Sequence, residues 1–128
     1  LFQRRNQEAV ERNRQRMERE SSAPRLTDEV PSLRTLRLTM RFRRGEHALP
    51  ESEHTRIVVV QRAPALFVVP CSDPQCREGG HDVTQDIMFR LRSKNGAFVG
   101  SASCSGSLGS AAAPCARTLV FEASATYA

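Results

Sequence analysis

Apolar and polar positions alternate with two different periods along this chain, and the change of period divides it. Residues 1 to about 22 contain no Gly or Pro and carry opposite charges at helical i,i+4 spacing: Arg4/Glu8, Glu8/Arg12, Arg14/Glu18 and Arg16/Glu20. The spacing predicts one long charged helix. Its apolar stripe of Phe2, Ala9, Val10 and Met17 is interrupted by Asn6 and Asn13 and is too thin to face a core. The helix is therefore expected to stand in solvent or to be ordered by a partner through Phe2, Val10 and Met17. "SSAPRLTDEVP" breaks the pattern with turn residues, so residues 1–24 read as a helical extension and 25–31 as a linker.

From Ser32 the period becomes two. In "LRTLRLTMRFRR", Leu36, Leu38, Met40 and Phe42 share one face, and Arg37, Thr39, Arg41 and Arg43 the other. "GEHALPESEHT" reads as a polar connection, "RIVVVQR" as a second strand with more of both faces covered, and "ALFVVP" as a third. A helix follows, with Asp82 as N-cap in a D-x-x-Q box with Gln85, an apolar face of Ile87, Met88 and Leu91, and a left-handed end at Asn95 or Gly96. "AFVGSASC" and "RTLVFEASATY" complete the strands, the latter alternating Leu119, Phe121, Ala123 and Ala125. Residues 32–128 thus predict an α+β domain: a small, mainly antiparallel sheet with one packed helix, preceded by the long charged N-terminal helix.

A chain of 128 residues with six Phe, one Tyr and no Trp has a modest core. A chain of that size removes about two thirds of its unfolded surface from water. Such a core gains from a cross-link, which directs attention to four cysteines in two local pairs, Cys71/Cys76 and Cys104/Cys115, each at the end of a predicted strand among Asp, Pro, Gly and Ser. Two turns that bring four thiolates to one tetrahedral ion make a zinc ribbon, although four and ten intervening residues depart from the commoner two. Structural zinc contributes about 10–16 kcal/mol in small modules. Pro74 would fix the first turn, and Gly79 and Gly80 would let backbone N–H groups approach sulfur. Two disulfides, Cys71 with Cys76 and Cys104 with Cys115, are the competing reading and require an oxidising compartment; free buried thiols are the third. His81 reads either as a ligand or ligand-orienting residue or, more simply, as a turn residue beside Asp82, and His47 and His54 as solvated.

The segment "APALFVVPCSDPQCREGGHDVTQDIMFRLRS" with the later "C.G…C.R.L" resembles a set of small uncharacterised zinc-ribbon-like proteins of δ-proteobacteria over about residues 57–127. The motif that carries the resemblance is C-x-x-x-x-C-x-x-G-G-H-D-x-T. It implies a zinc site of four cysteines and no established activity.

Charge brings in function. The net charge is +5, and of 19 basic residues only Lys94 is a lysine. Arginine forks suit phosphate and carboxylate, although a GC-rich genome produces the same bias. Arg34, Arg37, Arg41, Arg43 and Arg44, uninterrupted by acids, and Arg4, Arg5, Arg12 and Arg16 of the helix are the candidate nucleic-acid contacts. Structured RNA or a ribonucleoprotein, of the ribosome-associated kind, is the expected partner. Four glutamates in the helix and few aromatics weigh against it, and favour the alternative of a structural subunit that docks its helix on a protein. No phosphate-binding loop motif or Ser/His/Asp arrangement stands out, and a four-cysteine ion has no open position for an activated water, so a non-catalytic module is expected. No apolar run approaches the roughly 18 residues of a membrane span, and the first twenty residues lack the apolar stretch of a signal peptide, which sets the expectation at a cytoplasmic protein.

Overall fold

A computed structural model describes residues 2–44, 49–73, 76–77, 79–108 and 113–128. His47 and Pro74 lie outside the described residues, as do residues 109–112 between the last two cysteines. The elements are α1 (Phe2–Ser22), α2 (Leu26–Glu29), β1 (Leu33–Arg44), β2 (Ser52–Val58), β3 (Val68–Pro70), β4 (Cys76–Arg77), β5 (Gly80–Asp82), α3 (Thr84–Arg92), β6 (Ala97–Ser103), β7 (Ser107–Leu108), β8 (Ala113–Pro114) and β9 (Arg117–Tyr127).

Four strands form the main sheet in the order β2-β1-β9-β6, with every neighbouring pair antiparallel. Alternation sorts the faces as the sequence implies. Leu36, Leu38 and Phe42 of β1, Leu119, Phe121, Ala123 and Ala125 of β9 and Phe98 of β6 are buried together with Ile87, Met88 and Leu91 of α3. Phe98 and Phe121 meet edge to face at 6.3 Å. Gly100 permits the close approach of α3, because a Cβ there would stand 2.5 Å from both Asp86 Oδ2 and the Phe121 ring. The result is an α+β domain with one sheet face covered and the other open.

Several local expectations are corrected. Residues 25–31 are not a free linker: Leu26 is fully buried and Val30 nearly so. The Leu26 N–H donates to Ala63 O at 3.0 Å, and Ala65 N–H donates to Pro24 O at 2.7 Å. Polar composition concealed two apolar anchors, Leu26 in a one-turn helix and Val30 at its C-cap. The second strand begins at Ser52 and ends at Val58, and it is an exposed edge strand with Ile57 on the open face rather than one with more of both faces covered. Asp82 precedes the N-cap, Val83, and its Oδ1 accepts the Thr84 N–H at 3.1 Å. The far end of α3 closes at Lys94, with φ 57°, rather than at Asn95 or Gly96. Lys94 N–H donates to Leu91 O and Asn95 N–H to Arg90 O, which is the hydrogen-bond pair of a Schellman motif.

Helix α1 is exposed along its described side chains, including Val10 and Met17. Arg14 pairs with Glu11 and Arg16 donates to Asn13, three residues back, instead of reaching Glu18 and Glu20. The side chains of Phe2, Arg4, Arg5 and Glu8 lie outside the described ones.

Candidate metal centre

Two short sheets carry the cysteines. β3 pairs with β5 and leads into Cys71, while β4 holds Cys76 in a three-stranded ribbon with β7 and β8. Cys104 follows β6 and Cys115 precedes β9, so the main sheet fixes the second pair, and Cys104 N–H donates to Arg117 O at 3.0 Å. The four Sγ atoms lie within 4.8 Å of one another, with Cys104 and Cys115 buried and Cys71 and Cys76 half-buried. Two of the pairs cross between the turns: Cys71 to Cys115 at 3.7 Å and Cys76 to Cys104 at 3.5 Å. A disulfide needs about 2.05 Å. Sulfurs bound tetrahedrally at about 2.3 Å from zinc stand about 3.8 Å apart. None of the four cysteines is in a disulfide, so the competing reading of two within-turn disulfides is not the arrangement found. The cluster is suited to a metal ion.

Backbone N–H groups are aimed at the sulfurs in the same way in both turns. Asp73 N–H lies 3.5 Å from Cys71 Sγ and Gly106 N–H 3.4 Å from Cys104 Sγ, each two residues beyond its cysteine. Gly79 has a different part from the one expected. A Cβ there would collide with Cys76 Sγ and lie 2.6 Å from Cys104 Sγ, so the chain can pass the sulfurs only as glycine. Burial pushes the Cys71 thiol up to about 11, against the opposing Asp73 N–H, and raises Cys76 still further. Burial also opposes the Cys104 thiolate, but the Gly106 N–H, the Cys76 and Cys71 thiols and the Gly80 backbone outweigh it and lower this thiol. Several thiolates in so small a volume repel one another unless a cation replaces their protons.

One residue beside the cluster, Arg117, went unread in the sequence, and another, His81, is placed differently from the expectation. Arg117, 9% exposed, directs Nε toward Asp73 Oδ2 at 3.9 Å and Nη1 onto Glu51. The signal was available, because alternation places Arg117 on the inner face with Leu119 and Phe121. His81 is not among the four clustered ligands, and it lies in β5 rather than in a turn. It is fully buried on β5, its Nδ1 lies 2.9 Å from Ala102 O, and its ring meets Phe42 edge to face at 5.6 Å. Desolvation lowers its pKa, partly countered by the backbone of Ala102 and Ser103.

The predicted arginine row is split. Arg37 is exposed and in no described ion pair, and Arg34 is exposed in the register shift between Leu33 and Thr35. Arg41 is held between Glu53 and Glu122 on the two neighbouring strands, both at 3.1 Å, and these carboxylates raise its pKa. Arg43 is half-buried with its Nε shielded, and Arg44 points toward Glu51 at 3.9 Å. Arg12 and Arg16 are exposed on α1. Among the described residues, no helix is long and apolar enough to cross a membrane. No protein-family model matches the chain, and no curated protein or solved structure matches it.

Proposed function

We propose that the protein is a non-catalytic, cytoplasmic, zinc-held module that associates with structured RNA or a ribonucleoprotein. The metal half rests on the four-sulfur cluster, whose sulfur spacings of 3.5 and 3.7 Å approach those of a tetrahedral thiolate site. Zinc suits four thiolates in such a scaffold, and a four-sulfur set leaves no open position for reaction chemistry. Cys71, Cys76, Cys104 and Cys115 would hold the ion and tie the β3–β5 and β4–β7–β8 ribbons to the main sheet.

The RNA half rests on one observation: exposed arginines gather where the end of α1 meets the body. Arg16, Arg19 and Arg56 line one cleft there, and Arg25 lies beside it, bridged to Pro64 with its guanidinium on Arg62 O. Elemental analysis of the purified protein, with sedimentation alongside ribosomes or RNA before and after nuclease, tests both halves. One zinc per chain and nuclease-sensitive, salt-sensitive association are expected. Two specific features favour a protein partner instead: the Arg41–Glu53–Glu122 cluster neutralises much of the open sheet face, and Val10 and Met17 stand exposed on α1. Association that survives nuclease and high salt would select that reading.

A further inference from the structure

Three arginines distant in sequence line one cleft. Arg16 and Arg19 come from the later turns of α1 and Arg56 from β2; Pro64, Leu66 and Val68 supply an apolar side, and Glu20 is the only acid in the lining. The lining therefore has three positive charges against one negative, a net +2. These cations are weakly committed. Arg56 is exposed and its side chain is in no described ion pair. Arg19 reaches Asp82 only at 3.7 Å, with both side chains 56% exposed, and Arg16 donates to the neutral amide of Asn13. The cleft is shallow and open, with a cavity volume of about 110 Å³, below the roughly 300–1,000 Å³ of sites that enclose a whole small ligand and so suited to a phosphate group resting in it rather than to an enclosed molecule.

We propose that this cleft is a phosphate site that takes one nucleotide of an RNA strand. The inference rests on the RNA reading above and deepens it by naming the site. One carboxylate is satisfied by a single bidentate arginine, whereas guanidinium forks approaching from α1 and β2 suit the several oxygens of a phosphate and its neighbour along a strand. Pro64, Leu66 and Val68 offer an apolar surface to the face of a base, and an arginine plane can stack on it where no aromatic is present. The site is composite: the helical extension contributes two of its three cations, which gives α1 a binding role that its exposed, thin apolar stripe does not require.

The test uses the full, metal-loaded chain with ¹⁵N-labelled arginine, titrated separately with a short oligouridylate and with inorganic pyrophosphate while the Nε–Hε signals are followed. Arg16, Arg19 and Arg56 should shift along one saturation curve with each probe. Arg56→Gln should weaken oligouridylate binding by about tenfold, the loss of one charge-assisted contact, and Arg56→Lys by less; Lys94→Gln, at an exposed cation outside the cleft lining, should change it less than about twofold. Oligouridylate shifts confined to Arg34 and Arg37 would overturn the cleft and leave RNA binding standing. A response to pyrophosphate alone would retain the phosphate site and overturn RNA as its source. No response at the three arginines to either probe would overturn the site outright.

Discussion

Arg117 and Asp73 face each other at 3.9 Å with both side chains about nine-tenths buried, and the backbone N–H of Asp73 is the group that approaches Cys71 Sγ. A guanidinium brought in by the last strand of the sheet is thus one contact away from the thiolate turn. Four thiolates around a divalent ion carry a net charge of −2, so a buried cation nearby offsets part of that charge while holding the turn in place.

Arg117→Gln removes that cation and with it the Arg117–Asp73 contact. Metal affinity, measured by competition with a chelating dye, should fall by about 10- to 100-fold, the usual effect of losing a group that supports metal ligands. Unchanged affinity in a folded variant would reduce Arg117 to a packing role.

Gly79→Ala should be more severe. The added methyl collides with Cys76 Sγ and crowds Cys104 Sγ, so either the ribbon shifts or the sulfurs separate. Elemental analysis should show less than one metal per chain, together with a broadened thermal transition. Gly96→Ala is the control, since its nearest neighbour would be Ala125 O at an ordinary 3.6 Å. A Gly79→Ala protein with full metal content would show that the ribbon accommodates a side chain there.

The strands were legible where one face was buried. Leu36, Leu38 and Phe42, and Leu119, Phe121, Ala123 and Ala125, announce their period because burial on one side demands it. The gathering of the four cysteines was legible for a related reason, since few arrangements suit two turn-embedded pairs. What stayed hidden depends on contacts distant in sequence. Leu26 looks like a linker residue until Ala63 is seen to receive its N–H, and Arg41 looks like a phosphate contact until Glu53 and Glu122 arrive from two other strands. Arg56 was overlooked because only the fold places it beside Arg16 and Arg19.

Leu26 and α1 should separate cleanly in denaturation experiments on the metal-loaded protein. Leu26→Ala opens a cavity at a fully buried position and should lower stability by about 2–5 kcal/mol. Deleting residues 1–22 removes an exposed helix whose described ion pair to the body, Arg19 with Asp82, is long and exposed. The transition should therefore survive that deletion nearly unchanged. Loss of cooperativity on truncation would make α1 part of the core.

His81 gives the protein an acid-sensitive element. Burial lowers its folded-state pKa below the roughly 6.5 of an unfolded histidine, so the unfolded chain binds the proton first as pH falls. Its contribution is present above that unfolded value and is lost as pH drops below it toward the folded one. His81→Phe keeps an aromatic ring against Phe42 but cannot be protonated, so its stability should fall less steeply than wild type between pH 7 and 5. The cysteines compete for protons alike in both proteins and drop out of the difference. Parallel pH profiles would mean that His81 adds nothing to acid sensitivity.

The open sheet face separates structural arginines from available ones. Arg41 lies between Glu53, directly opposite on β2, and Glu122, on the diagonal on β9, so Arg41→Glu brings three carboxylates together on adjacent strands. That variant should melt below wild type, and added salt should recover part of the loss by screening the repulsion. Arg37 is exposed between Ile57 and Ser124, in no described ion pair, so Arg37→Glu should leave the melting point nearly unchanged. An RNA-binding defect in Arg41→Glu alone would therefore be uninformative, because it accompanies a weakened sheet. If Arg41→Glu melts with wild type at low salt, the two carboxylates do not hold Arg41 in solution, and it returns to the arginines free to meet phosphate.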